Sequence, residues 1–320
     1  MYLITGGAGF IGTNIAHALH GRRQEIVICD RFTHPQKQHN IIGLDDPQIV
    51  VPAHLDAWLH DNAAKLTGII HMGAISDTRC RDIDALLQDN FALSCMLWKV
   101  ACDQQVPFFY ASSAATYGSL RYCIDDNDPN IMRQLQPNNA YGWSKQIFDL
   151  YTLHAKQTPP QWVGLKFFNV FGPYEHHKGP QSSVVLQFWQ QLQQGDSITL
   201  FHSADPQVPD NSMARDFVWV GDCVAIMLWL LEQNHISGIF NCGSGQATPF
   251  ETIARSVIRH TRTDAHIRYS PMPHDIAQHY QYCTQASLKG LHAAGYKATP
   301  TALDEAVGDY IAYLQNRSMA

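Results

Sequence analysis

The feature that most constrains this chain is a glycine loop at its very beginning. A strand-like apolar run, Tyr2–Thr5, leads into Thr5-Gly6-Gly7-Ala8-Gly9-Phe10-Ile11-Gly12, and helical periodicity follows over residues 10–19. Gly6, Gly9 and Gly12 recur every third residue. In such a strand–loop–helix unit the first glycine permits the tight turn, the second lets backbone approach a pyrophosphate, and the third lets helix and strand pack closely. The helix N-terminus offers unsatisfied N–H groups to an anion. With Phe10 and Ile11 these glycines form a candidate dinucleotide cradle. The second apolar run, 25–29, ends at Asp30, an acid placed to accept hydrogen bonds from an adenosine ribose, which favours NAD. Arg31 and Lys37 are cations suited to a 2′-phosphate, which favours NADP. The residues alone leave both cofactors open.

Strand and helix patterns then alternate. Apolar strands are expected at Gly68–His71, 107–111 and 162–168, with helices over 82–103 and 139–155. That alternation predicts an α/β fold with a doubly wound parallel sheet of the Rossmann type, because parallel strands are joined by right-handed helical crossovers. After Phe171 the pattern loosens into turns, a helix over 182–193 and a strand at Ser197–Phe201. A strand over 216–220, a helix to Glu232 capped by Asp222, a strand over 239–241 and helices over 249–260 and 301–316 follow. The expected division is a dinucleotide-binding unit of 1–170 with 216–241, and a smaller interleaved C-terminal substrate lobe of 171–215 with 242–320.

Composition narrows the partners. The formal charge is −6 and no Lys/Arg block occurs, which argues against nucleic acid. The 17 histidines are scattered and the eight cysteines form no C-x-x-C pair, so no metal site is expected. Several cysteines sit in apolar stretches, as small hydrophobes do. No export signal is read, and the longest apolar run, 223–231, is too short to span a membrane. A cytoplasmic protein is expected.

Two further motifs carry chemistry. Tyr141-Gly142-Trp143-Ser144-Lys145 places a phenol and an ammonium four apart on one helix face. A tyrosine titrating near about 10 is a poor base unless positive charge favours its phenolate. Lys145 and a nicotinamide ring are expected to supply that charge, with Lys145 also holding the nicotinamide ribose. Upstream, Ala111-Ser112-Ser113-Ala114-Ala115-Thr116-Tyr117-Gly118 follows a strand, and Ser113 is placed to hydrogen-bond a reacting oxygen. The turn His71-Met72-Gly73-Ala74-Ile75-Ser76 lets backbone pass close to the cofactor, and Asn90 is expected to brace it.

These motifs, in this order, resemble the extended short-chain dehydrogenase/reductase superfamily over nearly the whole chain. More narrowly, the chain resembles the ADP-L-glycero-D-manno-heptose 6-epimerase family. The marks are Phe167-Phe168-Asn169-Val170-Phe171-Gly172-Pro173, His177-Lys178-Gly179, Arg215-Asp216-Phe217-Val218-Trp219-Val220-Gly221-Asp222, Tyr282-Cys283-Thr284-Gln285-Ala286 and Leu291-His292-Ala293-Ala294-Gly295-Tyr296. The resemblance implies Tyr141 and Lys178 as two acid/base residues, assisted by Lys145 and Ser113. It implies substrate contacts at Ser113, Asn169, Gln187, Phe201, His202, Arg215 and Tyr280, with Arg215 on the diphosphate. Cofactor contacts at Val170, Lys178 and Lys37 are implied too, and NADP over NAD. It further implies a homo-oligomer, a pentamer in that family, supplying ADP-heptose for lipopolysaccharide core. The chain departs from the family pattern at Pro180, at Gln187 where the family carries a substrate-contacting His, and in an inserted stretch over 206–211.

The implied reaction is epimerisation at C6 through a transient 6-ketone, since direct deprotonation of an unactivated carbinol carbon is too costly. A 4,6-dehydratase places an acidic pair after the active-site Ser/Thr, where this chain has Ala114-Ala115. A 4-epimerase or reductase of the same superfamily is the alternative enzyme. A dinucleotide-binding sensor without catalysis is the alternative class, and it has no use for Tyr141 and Lys145.

Overall fold

Fully buried apolar runs are what place the central strands: β2 and β4 below are buried at every position, as strands covered on both faces must be. The computed structural model describes residues 1–120, 128–262, 264–277 and 280–318; Cys123 lies outside them. The strands are β1 Tyr2–Thr5, β2 Ile26–Cys29, β3 Gln48–Val50, β4 Gly68–His71, β5 Phe108–Ser113, β6 Trp162–Phe167, β7 Asn169–Phe171, β8 Ser197–Phe201, β9 Ala214–Trp219, β10 Gly238–Cys242, β11 Ala247–Pro249 and β12 His266–Ser270. Seven of them form one parallel sheet in the order β10-β6-β5-β4-β1-β2-β3. The doubly wound sheet expected from the sequence is therefore present. Strand order reverses beside β1, and the crevice at the carboxyl ends of β1 and β4 is where such sheets bind ligands.

The α-helices are α1 Phe10–Gly21, α2 Pro35–Asn40, α3 Leu55–Asn62, α4 Ile83–Leu86, α5 Leu93–Gln104, α6 Pro129–Gln134, α7 Ala140–His154, α8 Val184–Gln194, α9 Val220–Glu232, α10 Phe250–Thr261, α11 His274–Ala277, α12 Lys289–Ala294 and α13 Leu303–Ser318. On one face of the sheet, Ile15 and Leu19 of α1 and Ile226, Met227 and Leu230 of α9 pack on Ile4, Ile28 and Val163. On the other, Leu97 and Trp98 of α5 and Phe148 of α7 pack on Leu3, Ile69, Phe108 and Tyr110. A separate core joins α8, α10 and α13 through Leu186, Ile253, Val257, Tyr310 and Ile311, around Phe171 of β7 and Phe217 of β9. There β9 pairs with β7 and β11, and β12 pairs with β8. Only Phe168 separates β6 from β7, so the chain changes sheets at that residue.

Three local expectations differ, and one strand, β3, has no expectation behind it. The helix expected over 82–103 is interrupted by a π-helical turn at Leu87–Ala92, which a hydrophobic period cannot distinguish from α. Asp222 does not cap α9: the helix begins at Val220 behind Trp219, and the Asp222 carboxylate instead accepts from the backbone N–H and hydroxyl of Thr301 at 3.0 and 2.7 Å. The strand expected over 216–220 lies at Ala214–Trp219, because Val220 already belongs to the helix. β3 carries two exposed residues out of three and so leaves no apolar run to read. Among the described residues no helix is long and apolar enough to cross a membrane.

Candidate active site

The glycine loop folds as its spacing demands. Gly6 has φ +63°, a left-handed conformation, and a Cβ there would meet the backbone of Gly73 at 2.7 Å. A Cβ on Gly12 would fall on the carbonyl oxygen of Gly6, so α1 can approach β1 only without one. Gly9 is the N-cap of α1 and no side chain caps the helix, which leaves its first N–H groups for a ligand. This cradle fits a pyrophosphate: side chains at Gly6, Gly9 and Gly12 would meet the backbone of Gly6, Gly7 and Gly73 that shapes the loop, and the first N–H groups of α1 are left uncapped.

Above the loop lies a cavity of about 660 Å³. Of the residues read as cofactor contacts, Gly6, Gly9, Phe10, Ile11, Gly12, Asp30, Arg31, Lys37, Met72, Gly73, Ala74, Ile75, Ser76, Lys145, Val170 and Lys178 line it. Asn90 does not; it stands behind the wall. Its amide donates to the Ile75 carbonyl and the Ser144 hydroxyl, each at 2.9 Å, and accepts from Ile75 N–H at 2.8 Å. The π-helical turn is thus a brace between the 72–76 loop and α7. Asp30 accepts from Ala8 N–H at 2.9 Å and from Lys37 Nζ at 2.6 Å. Arg31 pairs with Asp89 at 2.8 Å.

The catalytic motifs meet at the inner end. Asn139 caps α7 through Gly142 N–H at 2.8 Å, which sets Tyr141 in the first turn and Lys145 a turn later. Gly142 is required because a Cβ would meet the Ala115 carbonyl at 2.8 Å, so the helix start packs directly on the turn after Ser113. Ser113, Tyr141 and Lys145 all line the cavity. Lys145 is 4% exposed. Burial lowers its pKa to about 8, opposed by Asp149.

Lys145 and a nicotinamide ring together are expected to lower the Tyr141 pKa; in the protein alone burial raises it, the hydrogen bond with Ser113 works against the rise, and Asp149 adds to it. Beneath the site Asp149 accepts from Tyr110 at 2.9 Å, Ser112 at 2.7 Å and Lys166 Nζ at 2.5 Å, all within the core. His71 is driven down to about 3 by burial and then by Lys145, and it stays neutral between Thr5 and Ser94.

Lys178 lines the same cavity from a different element, the 3₁₀ segment His176–Gln181, with Nζ 5.4 Å from the centre of the Phe10 ring. Burial lowers its pKa and Glu175 opposes this. His177 and Gln181 line the cavity as well, and sequence reasoning missed both; adjacency to Lys178 on one turn was the available signal.

The residues implied as substrate contacts are more dispersed. Ser113 lies in the cavity. Asn169, Gln187, Phe201, His202, Arg215 and Tyr280 lie outside its lining. Arg215 is 7% exposed, stacked 4.8 Å over Tyr280 and 5.8 Å over Phe250, and donates to the Ala214 carbonyl; among the described residues no carboxylate pairs with it. Asn169 is exposed at the sheet change. The Gln187 amide donates to the carbonyls of Ser182 at 2.7 Å and Pro180 at 3.3 Å. His202 is held by Asp210 at 2.6 Å and stacks on Tyr269, next to the exposed Phe201.

Residues 2–243 match the NAD dependent epimerase/dehydratase family. The chain is 36% identical over 322 residues to the ADP-L-glycero-D-manno-heptose-6-epimerase of Fusobacterium nucleatum, covering 97% of both chains. It superposes on the ADP-L-glycero-D-manno-heptose-6-epimerase of Helicobacter pylori with TM-score 0.82 and 26% identity, covering 98% of this chain and 96% of that one. The fold alone is shared with the UDP-glucose 4-epimerase of Thermus thermophilus, solved with NAD, at TM-score 0.79 and 22% identity over 98% of each chain. With the glycine cradle, the Tyr141–Lys145 pair and this identity along the whole sequence, the chain belongs to the NAD dependent epimerase/dehydratase family and, within it, to the family of ADP-L-glycero-D-manno-heptose-6-epimerases.

Proposed function

We propose that this protein is an isomerase that inverts C6 of ADP-D-glycero-D-manno-heptose to give ADP-L-glycero-D-manno-heptose, for lipopolysaccharide core heptose supply. The observation that carries the reading is one cavity lined by the glycine cradle, Ser113, Tyr141 and Lys145 on one side and Lys178 on another element. A dinucleotide held by the glycine cradle, Asp30, Lys37 and Lys145 would supply a hydride acceptor and donor. The chain's own residues handle the proton. One of Tyr141 and Lys178 would take the O6 proton as the C6 alcohol is oxidised to the ketone, and the other would give a proton back to the oxygen as the alcohol of opposite configuration forms. Two acid/base groups serve because O6 points to different sides of the site in the two alcohols. Ser113 hydrogen-bonds the reacting oxygen, and Lys145 holds the ribose of the dinucleotide and supplies positive charge beside the phenol. Arg215, stacked and without an acidic partner among the described residues, suits the diphosphate. In this reading the unit of 1–170 with 216–241, whose β9 pairs with β7 and β11 outside the seven-stranded sheet, holds the dinucleotide, and the lobe of 171–215 with 242–320 the nucleotide-sugar, in a cytoplasmic homo-oligomer.

A substrate deuterated at C6 tests the route. The label is expected to stay at C6 in the product, because the same hydride returns; washout into water would overturn a transient oxidation.

NADP is the proposed cofactor. Both Asp30 oxygens already accept protein N–H groups, and Lys37 and Arg31 stand beside it on the cavity wall. Lys37→Ala is expected to weaken NADP binding about tenfold or more, the scale of a lost charge-assisted hydrogen bond, with NAD affinity changed far less. Titration of cofactor-free protein with each dinucleotide checks this. Equal losses for both would remove Lys37 from the 2′-phosphate.

A further inference from the structure

Lys178 sits on no regular strand or α-helix. Its segment, His176–Gln181, turns at Gly179 with φ +53° and continues into Pro180. Glu175, fully buried, immediately precedes it. Its carboxylate accepts from Gly172 N–H at 3.3 Å, Ser183 N–H at 2.5 Å and the Ser183 hydroxyl at 2.6 Å, so it ties the two ends of the loop 172–183 to each other. Its carbonyl accepts from Lys178 N–H at 3.0 Å. Asn14 and Asn40 fasten the same loop to the dinucleotide unit, donating to the carbonyls of Pro173 and Tyr174, each at 3.1 Å. Among the described residues no lysine, arginine or histidine forms a salt bridge with Glu175. A carboxylate is costly to bury in this way, and here the backbone of the loop satisfies it.

We propose that Glu175 is the positioning residue for the second acid/base group: its carboxylate closes the loop 172–183 and so fixes the Lys178 ammonium at the cavity wall over Phe10. The inference rests on reading Lys178 as that second group. The Glu175 carboxylate also opposes the lowering that burial imposes on Lys178, while burial raises the Glu175 carboxyl itself against its bonds to Ser183, the charge of Lys178 and the Gly172 N–H. The other titratable groups of and around this loop are Tyr310 of α13, raised by burial and then by Glu175; Tyr174, raised by burial and then by Tyr313, opposed by Arg317, with His17 stacked on it; His177, lowered to about 4 by burial and then by Lys37, with Lys178 and His34 adding; and His176, lowered by burial and then by Arg317. None of them supplies a second negative charge to Lys178.

The test uses the full-length holoenzyme and the variants Glu175→Ala, Glu175→Gln and Lys178→Met. Epimer interconversion gives kcat and KM, and bound dinucleotide and Tm are recorded. The pH dependence of Lys178 acetylation by acetic anhydride, read by mass spectrometry, gives its titration. Glu175→Ala is expected to lower kcat about tenfold or more with KM within about threefold and the dinucleotide retained. Glu175→Gln removes the charge and keeps one acceptor oxygen for the Gly172 N–H and the Ser183 hydroxyl, but its amide nitrogen must face the Ser183 N–H, so its kcat lies between Glu175→Ala and wild type and Lys178 titrates at lower pH. Wild-type kcat in Glu175→Ala, or an unmoved Lys178 titration in Glu175→Gln, overturns the proposal. If Glu175→Ala fails to fold, the Glu175→Gln titration decides alone. Full activity in Lys178→Met would instead refute the role of Lys178, whatever Glu175 does to its titration.

Discussion

Tyr141→Phe lowers turnover by at least about a hundredfold, the scale of a lost general acid/base, while the protein keeps its fold and its dinucleotide. The substitution removes one oxygen from a ring in the first turn of α7 and leaves the packing of Gly142 on the Ala115 carbonyl untouched. The hydrogen-bond partner it orphans is Ser113, which still accepts from Ala115 N–H at 3.1 Å. Thermal stability is therefore expected to move little, and the loss to sit in kcat. In the protein alone, burial raises the pKa of the phenol. Positive charge from the dinucleotide ring is what the reading requires to favour the phenolate. Steady-state kinetics with Tm and bound dinucleotide as controls checks this, and a variant with near wild-type kcat would remove Tyr141 from the chemistry.

Gly12→Ala is expected to abolish retention of the dinucleotide and to destabilise the fold by about 1–3 kcal/mol, the cost of overpacking a close contact. The new Cβ would occupy the position of the Gly6 carbonyl oxygen, which is backbone and cannot rotate away. α1 must then move off β1, taking with it the N–H groups that face the pyrophosphate. Gly21→Ala in the same helix is the control: nothing lies within 4 Å of its Cβ, and a helical glycine replaced by alanine gains up to about 1 kcal/mol. Dinucleotide content after purification and Tm for both variants separate the close approach from helix propensity. Full retention in Gly12→Ala would contradict the cradle.

These two positions were legible in the sequence because their chemistry is local. Tyr141 and Lys145 share one helix face, and the glycine spacing encodes one turn. The sheet was equally legible, since β1, β2 and β4 are short buried runs with no polar interruption. What stayed hidden depends on contacts between distant segments. Asp222 has the chemistry of an N-cap, yet Thr301 engages its carboxylate. Asn90 is legible as a brace for the 72–76 turn and does bond Ile75, but the π-helical turn that carries it and its second bond, to Ser144 of α7, leave no mark in the sequence. Glu175 gave no signal, because its partners Gly172 and Ser183 are plain backbone and a serine in a loop. Lys178 and Arg215 came from resemblance alone, and their geometry shows why: neither belongs to a periodic motif, and each is defined by what folds around it.

The most direct test of the account is to incubate the purified protein with ADP-D-glycero-D-manno-heptose, with no dinucleotide added, and follow the C6 configuration by NMR. A mixture of the two C6 epimers is expected, formed by a cofactor that is retained and not consumed. An unchanged substrate, in protein shown to carry NADP or NAD, would contradict the assignment of C6 of this nucleotide-sugar as the reacting centre.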